Sequence, residues 1–350
     1  MSFDRRRFLR TGVALGAGSL LPQQSLFAGN AAGSTSAGVS VEELPELSGK
    51  LTLYLGRGEG GLYEDVISAI EKRNPDLKLS IRRGPTAALA NTIVAEAKAG
   101  VTRADVFWAV DSGAIGLVAK TGAAQNLSET IISQVDERFR YEHWVPVSGR
   151  IRTLPYHTGT ISPEDVPQDV MDLAESDLKL GWAPAYGAFQ SFVTAMRLIE
   201  GEEATKAWLE AVKRRASSYA GELGVVMAVS RGEVDLGFAN HYYTLRLKAG
   251  DPDAEVALGL SRGDAGCLLN ASGAMALREG ELPQNFIRYL LTREVQSYLS
   301  SEAYEIPMIS GMAMPAGLPD LDVIQPPEVP LAKLADLEPT LALMREAGVL

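Results

Sequence analysis

Cysteine and histidine are almost missing from this 350-residue chain, which has one Cys and three His. A single thiol, Cys267, permits no internal disulfide. Lying between Gly266 and Leu268 in an apolar run, it reads as a small buried hydrophobe. The histidines at 143, 157 and 241 are scattered, which excludes the Cys and His clusters of a structural zinc site. Positive charge is also short: 33 Lys and Arg stand against 44 Asp and Glu, a formal net charge of −11. So acidic a chain lacks the basic face that phosphate backbones need, which argues against nucleic acid as a partner. No apolar run reaches the ~20 residues of a membrane span. No Ser-His-Asp set, His-x-x-x-His pair or carboxylate dyad stands out, which argues against a hydrolase.

What is present begins with an address. Asp4-Arg5-Arg6-Arg7-Phe8-Leu9-Arg10 sets paired arginines before a short apolar stretch (11–21), and small residues follow at 25–28. Basic, apolar, small is the order of a secretory signal, and the arginine pair points to the twin-arginine route for residues 1–28. Residues 29–47, opening with a Gly/Ser/Ala-rich stretch, read as a flexible leader. Loss of 1–28, with four Arg and one Asp, leaves a still more acidic protein bound for the periplasm. The roughly 300 residues that remain exceed what one core usually supports, so two lobes are expected.

Strand and helix signals alternate from the start. Leu51-Thr52-Leu53-Tyr54-Leu55 alternates as a strand, and the turn Gly56-Arg57-Gly58-Glu59-Gly60-Gly61 leads to a helix over 62–72 with Leu62, Val66, Ile67 and Ile70 inward. A strand at 77–82, a helix carrying Leu89, Ile93, Val94 and Ala97, and the apolar strand 104–110 complete an open α/β sheet. Residues 144–156 read as extended chain with a break at Ser148-Gly149-Arg150. Helices follow over 204–215 and 223–231, then a strand at 234–238 and a small-residue strand at 269–277 that returns the chain to the first lobe. The expected division is 48–145 plus 275–325 for lobe one and 146–274 for lobe two. A helical C-terminal segment, 326–350, is expected to pack on the lobes.

Adjacent tyrosines end the stretch Gly237-Phe238-Ala239-Asn240-His241-Tyr242-Tyr243. A phenol titrates near pH 10 and binds metal only where a strong Lewis acid displaces its proton. Ferric iron is small, hard and oxygen-seeking, and two phenols on a bent segment between lobes can hold it. The plainer reading makes both of them strand aromatics, one packed and one at the surface. His241 reads as pointing away from them, as neighbours do in extended chain.

Further stretches bear on that choice: Val147-Ser148-Gly149-Arg150 with Arg152 and Tyr156, Gly181-Trp182-Ala183-Pro184, Phe189-Gln190, Gly232-Glu233-Val234-Asp235-Leu236-Gly237 and Glu305-Ile306-Pro307. With these in order, residues 50–349 resemble the periplasmic ferric-iron-binding proteins, the solute-binding components of iron ABC importers. The resemblance implies an α/β fold, a two-lobed clamshell of mixed sheets flanked by helices with the metal in the cleft, and no catalysis. It implies a soluble monomer that hands Fe³⁺ to a membrane permease. It further implies phenolate ligands from Tyr242 and Tyr243, with Tyr156 as the third in the subgroup lacking a histidine ligand; Gly58 stands near where other members carry that histidine. An anion beside the iron, commonly carbonate, falls to Arg57 with Arg150 or Arg152. The chemistry agrees: three phenolates neutralise Fe³⁺, and a guanidinium fork matches the paired oxygens of carbonate. Glu59 is either a further ligand or a solvated residue at a helix start. Arg83 stands where the family often has tyrosine, adding positive charge, and His157 follows Tyr156 where asparagine is usual. The same fold binding a small oxyanion, or serving as a ligand sensor, stays open.

Overall fold

The computed structural model describes residues 38–56 and 62–350. The expected signal, most of the leader and the turn with Arg57 and Glu59 lie outside the described residues. The chain opens β1 (Gly49–Gly56), α1 (Leu62–Arg73), β2 (Leu77–Gly84), α2 (Thr86–Lys98), β3 (Val106–Ala109), α3 (Ser112–Ala119), the alternation read from the sequence. The long strand β4 (Val145–His157) follows, then β5 (Leu180–Trp182), α4 (Gly187–Glu200), α5 (Glu202–Lys213), β6 (Ala216–Ser218) and α6 (Glu222–Ser230). After β7 (Leu236–Gly237) and β8 (Ala239–Asn240) come α7 (His241–Gly250), β9 (Val256–Gly259) and β10 (Leu269–Ala276). The chain closes with α8 (Glu281–Leu290), α9 (Arg293–Ala303), β11 (Ile306–Pro307) and α10 (Leu337–Glu346). No helix among the described residues is long and apolar enough to cross a membrane.

Two compact units result. One takes the chain through Gly149 and then Ala271–Pro315; the other takes Arg150–Asn270 and Ala316–Leu350. In the first, the strand order is β2-β1-β3-β10-β4. β1 runs parallel to β2 and β3, while β10 pairs antiparallel with β3. Central placement explains why Leu53, Tyr54 and Leu55 are all buried although their sequence alternates: the strand has covered faces on both sides. Val66, Ile67 and Ile70 of α1 join Leu53, Trp108, Phe286 and Leu290 in one core. Residues 40–47 also belong to this core, against their reading as free leader. Val41, Leu44 and Leu47 are buried, and Glu294 accepts from the Ser40 hydroxyl and the Val41 N–H.

β4 carries no break at Ser148-Gly149, contrary to expectation. Pairing with β11 at both residues keeps the backbone extended, and the buried Glu305 carboxylate accepts from the Ser148 hydroxyl and from Tyr63 at 3.2 Å.

The second unit is built on the remainder of β4. Its strand order is β4-β7-β5-β6, with β8 and β9 also pairing to β4. Four aromatic rings, Phe189, Phe192, Trp208 and Phe238, meet with centroids 5.3–5.9 Å apart. Such edge, tilted and stacked contacts add to the large area each ring removes from water. The C-terminal helix α10 belongs here: Thr340 hydrogen-bonds Thr194 of α4 at 2.9 Å, and Lys206 of α5 pairs with Glu346. Gly259 of β9 faces Leu154 of β4 so closely that a Cβ would lie 2.5 Å from the Leu154 carbonyl oxygen and 2.7 Å from a Val166 methyl.

Backbone cannot yield as a side chain can. Gly259→Ala is expected to destabilise the protein by about 1–3 kcal/mol. Gly224→Ala in α6, where the new methyl meets only ordinary contacts, should stabilise it by about 0.5–1 kcal/mol. Denaturant midpoints of the two variants check the contrast; equal shifts would contradict it.

Candidate metal centre

The tyrosine pair does not lie in extended chain. β8 ends at Asn240, whose φ of −69° and ψ of 144° make it the N-cap residue, and Tyr242 and Tyr243 sit in the first turn of α7. Helical neighbours lie about 100° apart around the axis rather than on opposite faces. The two rings therefore stay together, with centroids 4.6 Å apart at 51°. His241 is fully buried; its Nδ1 accepts the Ile151 N–H at 3.1 Å and its ring meets Tyr242 edge-on. It fastens the helix start to β4. Both tyrosines are themselves only 5–6% exposed.

A third phenol joins them. Tyr186 follows Pro184 in the turn after β5 and occupies the N-cap position of α4. Its hydroxyl lies 3.0 Å from that of Tyr243. The Tyr242 oxygen accepts from Asn240 Nδ2 at 3.2 Å, and the Arg246 guanidinium stands 4.7 Å from the centre of the Tyr242 ring, one helical turn on. Two helix N-termini thus converge on the phenols, and the positive end of a helix favours anionic oxygen. Among the described residues, no group of three His, Cys, Asp or Glu is placed to hold a metal ion. The phenol cluster is a set of hard oxygen donors that the fold brings together.

Tyr156 was expected as the third ligand. It faces Leu236 of β7 and Ala257 of β9, four positions along β4 from Arg152, or about 13 Å at strand rise. Burial, and then the Glu164 carboxylate, push its phenol pKa up. Arg150 is buried at the start of the second unit's share of β4. Arg152 is buried too, but its NH1 donates to the Glu222 carboxylate at 2.5 Å, so its charge is already met. Arg83 forms a two-pronged pair with Glu64, at 2.6 and 2.7 Å. His157 closes a local turn, accepting the Gly159 N–H. Tyr186 and Glu222 were not foreseen. The signal for Tyr186 was an aromatic residue between Pro184 and Gly187, immediately before a helix.

Comparison with known proteins follows the same line. A family model described as bacterial extracellular solute-binding protein matches residues 51–305. The Fe(3+)-binding periplasmic protein of Serratia marcescens is 30% identical over 289 residues, covering 79% of this chain and 85% of the relative. The major ferric iron-binding protein of Neisseria meningitidis serogroup A is 26% identical over 258 residues, 70% of this chain and 78% of its own. Among solved structures, iron-bound HitA from Pseudomonas aeruginosa superposes with a TM-score of 0.77 at 28% identity, over 85% of this chain and 99% of that one.

Tyr156 should lose its proton above the ordinary phenol value of 10.0, so the stability it lends is whole below pH 10 and is lost as pH rises through the raised value. An ultraviolet difference titration of Tyr156→Phe should lack one step at the alkaline end. Loss of a step at or below the ordinary value would contradict this.

Proposed function

Because this chain belongs to the bacterial extracellular solute-binding protein family, we propose that it captures Fe³⁺ outside the cytoplasm through Tyr186, Tyr242 and Tyr243 and delivers it to the membrane permease of an ABC importer. It is a binding protein, not an enzyme, like its ferric-iron-binding relatives. The observation that carries the metal is the 3.0 Å approach of the Tyr186 and Tyr243 oxygens beside Tyr242. Three phenolates cancel the charge of one ferric ion, and the hard, highly charged ion prefers anionic oxygen. Fewer than six positions are then filled, and a small oxyanion such as carbonate takes some of the rest. Arg150 is the described arginine assigned to that anion; Arg57 joins it, and Glu59 as a further ligand, on the sequence alone. A twin-arginine signal over 1–28 carries the chain to the periplasm, where its relatives work.

Titration with ferric citrate in bicarbonate buffer should give a saturable phenolate-to-iron absorption band at one iron per chain. Tyr186→Phe, Tyr242→Phe and Tyr243→Phe should each weaken iron binding by more than about a hundredfold, beyond the range for outer partners of a metal site. Tyr156→Phe should leave it within about twofold, inside the few tenths of a kcal/mol of an ordinary neutral change. A colourless protein, or a band indifferent to the first three substitutions, contradicts the reading.

A further inference from the structure

A buried charge pair stands behind the phenols. Glu222, in the first turn of α6, is 1% exposed, and Arg152 of β4 is 2% exposed. Each carboxylate oxygen has one task. Oε1 accepts from Arg152 NH1 at 2.5 Å, and Oε2 accepts the backbone N–H of Asn240 at 2.9 Å. Asn240 is the cross-strand neighbour of Arg152, and its side chain holds the Tyr242 oxygen. The carboxylate therefore links the arginine to the residue that starts α7 and touches a phenol. Two acceptor oxygens are needed there, and a carboxylate supplies both whereas an amide supplies one.

Resting on the iron reading above, we propose that Glu222 is a built-in anion of the metal centre. It takes up the charge of Arg152, so that no oxyanion from solution is recruited at that arginine, and it fixes Asn240 against Tyr242. Arg152 keeps one buried N–H, on Nε, without a hydrogen-bond partner among the described residues. A neutral oxygen such as water suits that donor. A second anion on the same guanidinium would meet the repulsion of Glu222 in a site with little solvent to screen it. The chain thus fills one of the anion seats expected from its sequence with its own side chain.

The test is ferric titration of the purified protein, followed by the visible band, without and with inorganic phosphate. The readout is the ratio of the two half-saturation points within each variant; competition of phosphate for iron in solution is common to all variants. In Glu222→Gln the freed Arg152 should recruit phosphate, moving the ratio about tenfold in favour of phosphate, the size of one charge-assisted contact. In the double variant Arg152→Met/Glu222→Gln, which removes both charges, the ratio should return to that of the unmodified chain. A Glu222→Gln ratio equal to the unmodified one overturns the proposal. So does loss, in the double variant, of a phosphate effect that the unmodified chain shows, since phosphate would then sit on Arg152 despite Glu222. The double variant keeps the test open if the single one does not fold, because neutral replacement of a buried pair is tolerated better than breaking it. A missing band in the unmodified chain would overturn the iron reading itself, an outcome separate from either ratio.

Discussion

A tyrosine becomes a metal ligand only after giving up a proton that it ordinarily holds to about pH 10. That constraint governs the rest of the site. Ionising one phenol at neutral pH means overcoming about three pKa units, or roughly 4 kcal/mol. A helix N-terminus supplies about 0.3–1 kcal/mol, and a cation over an aromatic face a similar amount. Two helix starts and Arg246 therefore ease the ionisation without achieving it. On the proposed iron reading, the remainder comes from the triple charge of the ion. The Tyr186–Tyr243 hydrogen bond fits this division, since it requires one phenol to keep its proton.

The scaffold's contribution is aim. β4 is buried along its whole length and serves as the rail on which the second unit's binding face is assembled. Ile151 donates to His241, Arg152 pairs with Asn240 and holds Glu222, and the Thr153 hydroxyl donates to the Ala239 carbonyl at 2.8 Å. Three consecutive residues thus hold the turn into α7 from below. The third phenol arrives on a different helix, yet the same aromatic core sits behind both: Phe189 and Phe192 of α4 pack on Phe238, which lies between β7 and β8. Packing on Phe238 thus anchors α4, at whose start Tyr186 sits, to the segment that leads into α7.

Much of this was legible in the sequence. Hydrophobic periodicity located the opening βαβαβ run, because parallel strands and their covering helices carry strong local signals. Cys267 is buried and free, as its apolar setting implied. The family resemblance, carried by motifs such as the tyrosine pair, is matched by the family model and the ferric-iron-binding relatives. Local geometry was harder. A pair after a short strand reads as more strand, and the switch to helix at His241 depends on β4 capturing its imidazole, a contact across 90 positions of sequence. The same distance hid Glu222, which looks like any acidic residue in a first helical turn until Arg152 is seen against it, 70 positions away. Tyr156 was expected as the third ligand by resemblance, and Tyr186 was not foreseen. The strand register became visible only in the fold: Tyr156 faces Leu236, four positions along β4 from Arg152, the residue facing Asn240.

Proton counting addresses the three-phenol site most directly, because each phenol that binds iron must release its proton. Calorimetric titration of ferric nitrilotriacetate into the protein, repeated in bicarbonate-free buffers of differing ionisation enthalpy and corrected for protons taken up by the chelator, gives the number released. The account predicts about three per iron at neutral pH. Release of none would mean that the tyrosines keep their protons and that the metal, if it binds, is held by other atoms.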